Sequence, residues 1–304
     1  MSTARIPPSG ATYKLPRIHV SQSLAVGEDV VMDADVTHYI TKVMRAKTGA
    51  LLRLFNCRDG EWLGVLAESS AGISQSPNKR VRRNSTPPVV INIMQQLRDP
   101  ADDFRDVPSV HLFFAPIKKQ RVKLLFEKAT ELGVNRLIPV LTQNTNEKWN
   151  SGVGGGLGLT SDDDGGGISD DSGSLGRILV ESAEQCERLS IPVVDAPTTL
   201  TAMLSRFQNE HPHSRLLVCK ERSSLFPPRP KPILVALQDF CTSPSSQLCL
   251  LVGPEGGFTD AEFSDMSSRE FVQFVSLGDS ILRAETAALK ALSVAFALFE
   301  SSTQ

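Results

Sequence analysis

Two short stretches carry residues whose types and spacing could do chemistry. In LCLLVGPEGGFTDAEF, residues 248–263, an apolar run stops abruptly at Gly253-Pro254-Glu255-Gly256-Gly257. Glycines there let main-chain N–H and C=O groups approach a bound molecule closely, and a proline stiffens the turn. In LGDSILRAETAALKAL, residues 277–292, a second strand ends at Leu277-Gly278. Ile281 and Leu282 read as buried ahead of Arg283, and Glu285, Thr286 and Ala287 open a helix rich in small residues. Ligands of parallel sheets bind beyond the carboxyl ends of strands. Two such loops would form two walls of one pocket, with main-chain groups for a heterocycle's edge and apolar side chains for its faces. Neither GxxxxGK[ST] nor GxGxxG is present, which disfavours a phosphate-cradling NTPase. Taken alone, the first glycine cluster reads as a tight strand-to-helix turn with Thr259 or Asp260 as N-cap, and it is the second loop that turns the reading toward a ligand site.

The elements that must position these loops follow from periodicity. From Arg17 to Arg98 the chain reads as short strands: RIHV, VVMD, ALLRLFN, EWLGVLAE and PVVINIMQQLR, with a turn at Asp59-Gly60. One helical stretch, DADVTHYITKVMRAK, interrupts them. A small β-barrel over residues 17–98, after a flexible 1–16, is the economical reading, and His19 and His38 are expected to be structural barrel residues. Residues 71–88 read as an extended basic loop. From Val110 the grammar changes to strand VHLFFAPI, helix KKQRVKLLFEKATELG and strand RLIPVLT, a βαβ unit with Gly133 as helix C-cap. The alternation continues to the final helix, so 108–304 is expected to be an α/β domain of five to six strands. Residues 150–176 contain ten Gly, five Asp and no aromatic residue. Such a tract cannot offset its ordering entropy by apolar burial and is expected to be a disordered insertion. Residues 223–246 read as a Pro-rich loop.

The 304 residues, 40% hydrophobic and 22% charged, have an ordinary globular composition. The longest apolar helix candidate contains Glu285, Lys290 and Glu300, so a membrane helix is not expected. Five cysteines, Cys57, Cys186, Cys219, Cys241 and Cys249, show no CxxC pair and no metal-ligand spacing, so no metal is expected. Residues 1–98 hold 13 Lys and Arg against 7 Asp and Glu, a net +6 on a chain whose total is −2. That asymmetry points to a polyanion partner held mainly by the front half. The amino-terminal stretch has no secretory core and no acid before Glu28, which suits a cytoplasmic protein or, alternatively, a mitochondrial or plastid one.

The two loops together resemble the signature of the RsmE-type ribosomal RNA methyltransferases of the SPOUT superfamily. FEKATELGV (126–134) and ESAEQCERL (181–189) resemble that family's internal blocks, and HYITKVMRAKTGALLRLFN (38–56) resembles its PUA-like RNA-binding domain. The resemblance spans nearly the whole chain in order, and its departures are insertions between blocks. It implies S-adenosylmethionine as cofactor, small-subunit rRNA as substrate and methylation at N3 of a uridine. It also implies a trefoil-knotted α/β domain and a homodimer. Strand-end loops at Val218-Cys219-Lys220, at Gly253 to Gly257 and at Leu277 to Thr286 would surround the cofactor. Gly253, Gly256, Leu277, Ile281 and Leu282 would hold adenine and ribose, and Thr286 and Ala287 the methionine end.

Methyl transfer needs an aligned nucleophile and a pocket that excludes water. Arg283 would stabilise charge developing on the carbonyl oxygens beside N3. Glu255 or Glu285 would accept the N3 proton, although both could equally cap helices or orient Arg283. Lys42, Arg45, Arg53, the Lys79–Arg83 cluster, Lys118, Lys119, Arg121 and Lys123 would contact phosphates. Arg188, beside Glu184 and Gln185, would lie near the active site by the same resemblance and is expected to contact RNA there. Two rival functions remain: a non-catalytic RNA-binding assembly factor, and a SPOUT enzyme acting on another RNA.

Overall fold

A computed structural model describes residues 9–67, 87–102, 108–147, 149, 173–220, 230–240 and 247–302. The chain divides into two compact units, Met1–Asp103 and Phe104–Gln304.

In the first unit, strands β1 (Arg17–His19), β2 (Asp29–Val31), β3 (Leu51–Asn56), β4 (Gly60–Leu66) and β5 (Val90–Arg98) form one mixed sheet in the order β1-β3-β4-β5-β2. All five strands read from sequence are present; β1 and β2 are its recorded edges. Gly60 closes the β3–β4 hairpin at φ 84, where an added Cβ would lie 2.2 Å from the Arg98 carbonyl oxygen, so only glycine fits. Helix α1 (Ala34–His38) starts at Asp33, whose Oδ1 accepts from the Val36 amide at 2.8 Å. Ile18, Val30, Ile40, Leu52, Leu54 and Ile91 make the core. The two histidines part company. His19 is half-buried and packs edge-on against Phe55, whereas His38 is exposed on α1, correcting the expectation that it belongs to the barrel.

The second unit is a parallel sheet with helices on both faces. Its strands are β6 (Val110–Phe114), β7 (Arg136–Leu141), β8 (Val193–Val194), β9 (Thr198–Thr199), β10 (Leu216–Cys219), β11 (Lys231–Pro232), β12 (Leu248–Val252) and β13 (Val272–Ser276). The order is β11-β13-β10-β12-β6-β7-β8, with β9 paired to β7. Helices are α2 (Lys119–Leu132), α3 (Gly173–Cys186), α4 (Leu200–Glu210), α5 (Ile233–Phe240), α6 (Asp260–Ser267) and α7 (Ala284–Ser302). Alternation along β6 sorts the layers. Val110, Leu112 and Phe114 enter a core with residues of α2, α3, α5 and α7, while Phe113 enters a second core with α4 and Met266 of α6. Helix α2 buries Val122, Leu125, Phe126 and Ala129 and ends at Gly133, φ 103. Helix α7 buries Ala288, Ala291, Leu292 and Ala295 in its own chain and exposes Thr286, Lys290, Ser293, Ala297 and Glu300 along the opposite stripe.

Two expectations need correction. The stretch expected as a Pro-rich loop contains β11 and α5, because a proline just ahead of a helix costs no hydrogen bond and Ile233, Ala236 and Leu237 anchor it in the core. Residues 173–176, expected in the disordered tract, open α3, where burial of Leu175 overrides the glycines' poor helix propensity. The rest of that tract, most of the basic loop and Cys241 lie outside the described residues. Among the described residues no helix is long and apolar enough to cross a membrane.

Candidate active site

Strands β12, β10 and β13 are parallel neighbours, and Cys219 at the end of β10 stands level with Val252 and Val275. Beyond their carboxyl ends lies a cavity of about 340 Å³. Cys219 and Lys220 form one wall, Gly253, Pro254, Glu255 and Gly257 a second, and Leu277, Gly278, Ile281, Leu282, Arg283 and Ala287 the third. The two loops singled out from sequence therefore do converge.

Local chemistry explains each wall. At Gly253 a Cβ would come within 2.7 Å of the Phe258 ring, so the backbone lies against that ring only because no side chain intervenes. Gly257 takes φ 68 and donates to the Pro254 carbonyl at 2.9 Å, closing the turn. Thr259 then caps α6 in a reciprocal capping box with Glu262, and Glu262 also accepts from the Gln143 amide at 2.8 Å. Asn144 donates through Nδ2 to the carbonyls of Gly256 and Gly257 at 3.0 Å each. The loop after β7 thus braces the glycine turn. Sequence reading missed this brace, since nothing local to TQNTN announces a partner more than a hundred residues away.

Several expected residues stand elsewhere. Val218 is buried within β10, Gly256 faces Asn144, Thr286 is exposed on the first turn of α7, and none of the three lines the cavity. Ile281, expected to be buried, is 78% exposed at the rim, so its apolar surface awaits something to cover it. Arg283 is exposed, lines the cavity and forms no ion pair among the described residues. Glu255 lines the cavity, whereas Glu285 does not. Both carboxylates are engaged by Arg121 of α2: its Nη1 donates to Glu255, and its Nε lies 3.6 Å from Glu285. Glu285 is buried, and its Oε2 has no hydrogen-bond partner among the described residues.

Lys220, from the first of the three expected loops, lines the cavity, and so does Phe263, which was not among the cofactor contacts expected from the sequence. The Lys220 ammonium lies 4.8 Å from the Phe263 ring centroid, and burial holds its pKa below the usual lysine value. Burial pushes the Cys219 thiol up to about 12, so it stays protonated at neutral pH and packs rather than attacks.

The basic residues divide sharply. Lys118, Lys119 and Lys123 are exposed around the start of α2, and Lys42 and Arg45 are exposed on the first unit. Arg53 and Arg188 are not available to RNA, which corrects their expected role. Arg53 is 6% exposed, 3.2 Å from Glu61, and donates to the Tyr13 carbonyl. Arg188 is 3% exposed and donates to the carbonyls of Thr130 and Val134 at 2.8 and 2.9 Å. Charge alone could not separate these from solvated arginines; only burial does.

Comparison with known proteins bears on this geometry. An RNA methyltransferase domain model matches residues 105–154 and 167–296, more than half of the chain. The chain belongs to this RNA methyltransferase domain family. A further model, an RNA methyltransferase PUA domain, matches residues 33–72. Among relatives of the family, ribosomal RNA small subunit methyltransferase E of Rickettsia conorii is 26% identical over 287 residues, 92% of this chain and 94% of the relative. The protein of that name from Synechocystis is 28% identical over 91% of this chain and 78% of its own length. In fold, the chain is similar to a Legionella pneumophila protein solved with the bound cofactor SAM (TM-score 0.68, 24% identity, covering 94% of this chain and 98% of that one). It is also similar to ribosomal RNA small subunit methyltransferase E of Neisseria gonorrhoeae bound to S-adenosyl methionine (TM-score 0.65, 20% identity, 93% and 98% covered).

Proposed function

We infer that the chain methylates N3 of a uridine in small-subunit ribosomal RNA, with S-adenosylmethionine as donor. The observation that carries this reading is the cavity walled by three adjacent strand ends, in a chain whose family is RNA methyltransferases. The cavity is large enough for a nucleoside. It offers main-chain groups at Gly253, Leu277 and Gly278 and apolar faces from Leu282 and Ala287. When bound there, S-adenosylmethionine supplies an electrophilic methyl group. The chain's own residues do the rest. Leu282 and the side chain of Ile281 exclude water from the donor. Arg283, at the rim, faces the carbonyl oxygens beside N3 and stabilises their developing negative charge. As N3 gives up its proton, Glu255 is the carboxylate placed to take it; Arg121 fixes its position and ties it to buried Glu285. Exposed Lys118, Lys119 and Lys123 contact phosphates.

The finer structural implications belong to the same proposal. The second unit is threaded as a trefoil knot, and two chains pair. Leu124 of α2 and Leu234 and Val235 of α5, exposed on two helices that both pack on α7, provide an apolar face for that pairing.

The test is direct. S-adenosylmethionine is titrated into the unaltered chain, which is then incubated with small-subunit rRNA, and the product nucleosides are read by mass spectrometry. N3-methyluridine is the expected product. Failure to bind the donor would overturn the enzymatic reading, and a methyl group on another RNA or another atom would overturn the assigned substrate.

A further inference from the structure

A second cavity, of about 460 Å³, lies at the other end of the same sheet. His111 and Cys249 are paired neighbours near the amino ends of β6 and β12, while the cofactor cavity begins at the carboxyl end of β12. His211, directly after α4, reaches the same point, its ring 5.2 Å from that of His111. His111, His211 and Cys249 are buried, at 6%, 7% and 0% exposure, and one ligand atom from each lies within 4.8 Å of the other two.

The hydrogen bonds around them sort the nitrogens. His111 Nε2 is engaged by the Ser109 hydroxyl at 3.1 Å, and its Nδ1 is buried with no partner among the described residues. His211 Nδ1 is held by the Gln247 side-chain oxygen at 2.8 Å, so Nε2 is its remaining nitrogen. Each imidazole is therefore oriented by one protein contact and left with one nitrogen to offer, the pattern of outer contacts that orients metal-binding histidines. A buried nitrogen without a partner is costly unless something fills the place.

We propose that His111, His211 and Cys249 bind a borderline-soft divalent cation of the zinc class, with the adjoining cavity supplying a fourth ligand. Two imidazoles and one thiol make a donor set suited to zinc rather than to magnesium or calcium. Tetrahedral zinc holds such donors about 3.5 Å apart, so loading draws the three side chains roughly 1 Å closer. On binding, the Cys249 thiol loses its proton to solvent and the sulfur becomes the ligand. The ion then ties β6, β12 and the end of α4 together. No sequence motif announced it, since residues 111, 211 and 249 are brought together only by the fold.

Cobalt and zinc titrations of the chelator-treated full chain test this. One equivalent of Co²⁺ is expected to bind with a thiolate-to-metal charge-transfer band and tetrahedral visible bands, and Zn²⁺ is expected to displace it and raise the melting temperature. Cys249→Ser should abolish the charge-transfer band, and His211→Gln should weaken binding at least tenfold, with donor binding at the cofactor cavity unchanged in both. Should Cys249→Ser fail to fold, His211→Gln carries the comparison. Absence of a thiolate band in the unaltered chain, or undiminished metal binding in folded variants, would overturn the proposal.

Discussion

Arg121 is the residue on which both candidate carboxylates turn: it reaches Glu255 and Glu285 at once, although one is exposed and the other buried. The reading of Glu255 and Glu285 as interchangeable proton acceptors could not see this, because the bridging guanidinium comes from a helix more than a hundred residues earlier. Arg283→Ala is expected to leave donor affinity within a few-fold of normal while lowering methyl transfer about 10²- to 10³-fold, as removal of a charge-stabilising group does. Single-turnover assays beside donor titrations separate the two quantities. Gly253→Ala acts on binding instead. Its methyl must displace the Phe258 ring, so donor affinity should fall by tenfold or more with little loss of activity once the donor saturates. Glycine positions were legible from sequence because a missing Cβ is a local property. Ile281 was misread because an apolar side chain normally signals burial, and at a ligand site it need not.

Glu61 shows the same contrast between elements. It is 1% exposed in β4 and lies 2.9 Å from Arg17 of β1, 3.2 Å from Arg53 of β3 and 3.5 Å from Arg98 of β5. One carboxylate thus holds four strands through three cations. Glu61→Gln removes the buried charge that the three guanidiniums share and should destabilise the first unit by about 3–5 kcal/mol, measured by urea unfolding. The strands themselves were all legible, since alternation is written residue by residue; the Arg–Glu hub was not, and Arg53 was mistaken for a phosphate contact for that reason. His19, on β1, adds a pH dependence. Burial, with Arg17 adding repulsion, lowers its pKa to about 4, so the folded unit resists a proton that the unfolded chain accepts near 6.5. Stability is complete above 6.5 and falls as pH drops from there toward 4. His19→Gln should flatten that slope in unfolding curves taken between pH 7 and 4. Helix α5 marks the opposite failure, where clustered prolines hid an element whose three apolar anchors were in plain view.

At the scale of the whole molecule, basic residues are exposed on each unit separately, Lys42 and Arg45 on one and Lys118, Lys119 and Lys123 on the other. RNA affinity should therefore drop steeply with salt, and a triple Lys118→Ala, Lys119→Ala, Lys123→Ala variant should reduce the magnitude of the log–log slope by about two to three. Filter-binding isotherms at several ionic strengths give that slope, and an unchanged value would remove α2 from the interface. The α/β class was legible because strand and helix periods alternate along the sequence. Sheet order was not, because nothing in a strand's own residues says which neighbours it will take. That order has an outcome for biosynthesis. Strand β10 pairs on one side with β12 and on the other with β13, both made after it. A nascent chain emerging from the ribosome can bury β6 and α2 early, yet it owns no donor pocket until β13 has docked and the loop after it has closed the third wall. A fragment that ends before β13 lacks that third wall and is expected to bind no S-adenosylmethionine, which donor titration of the truncated chain would check.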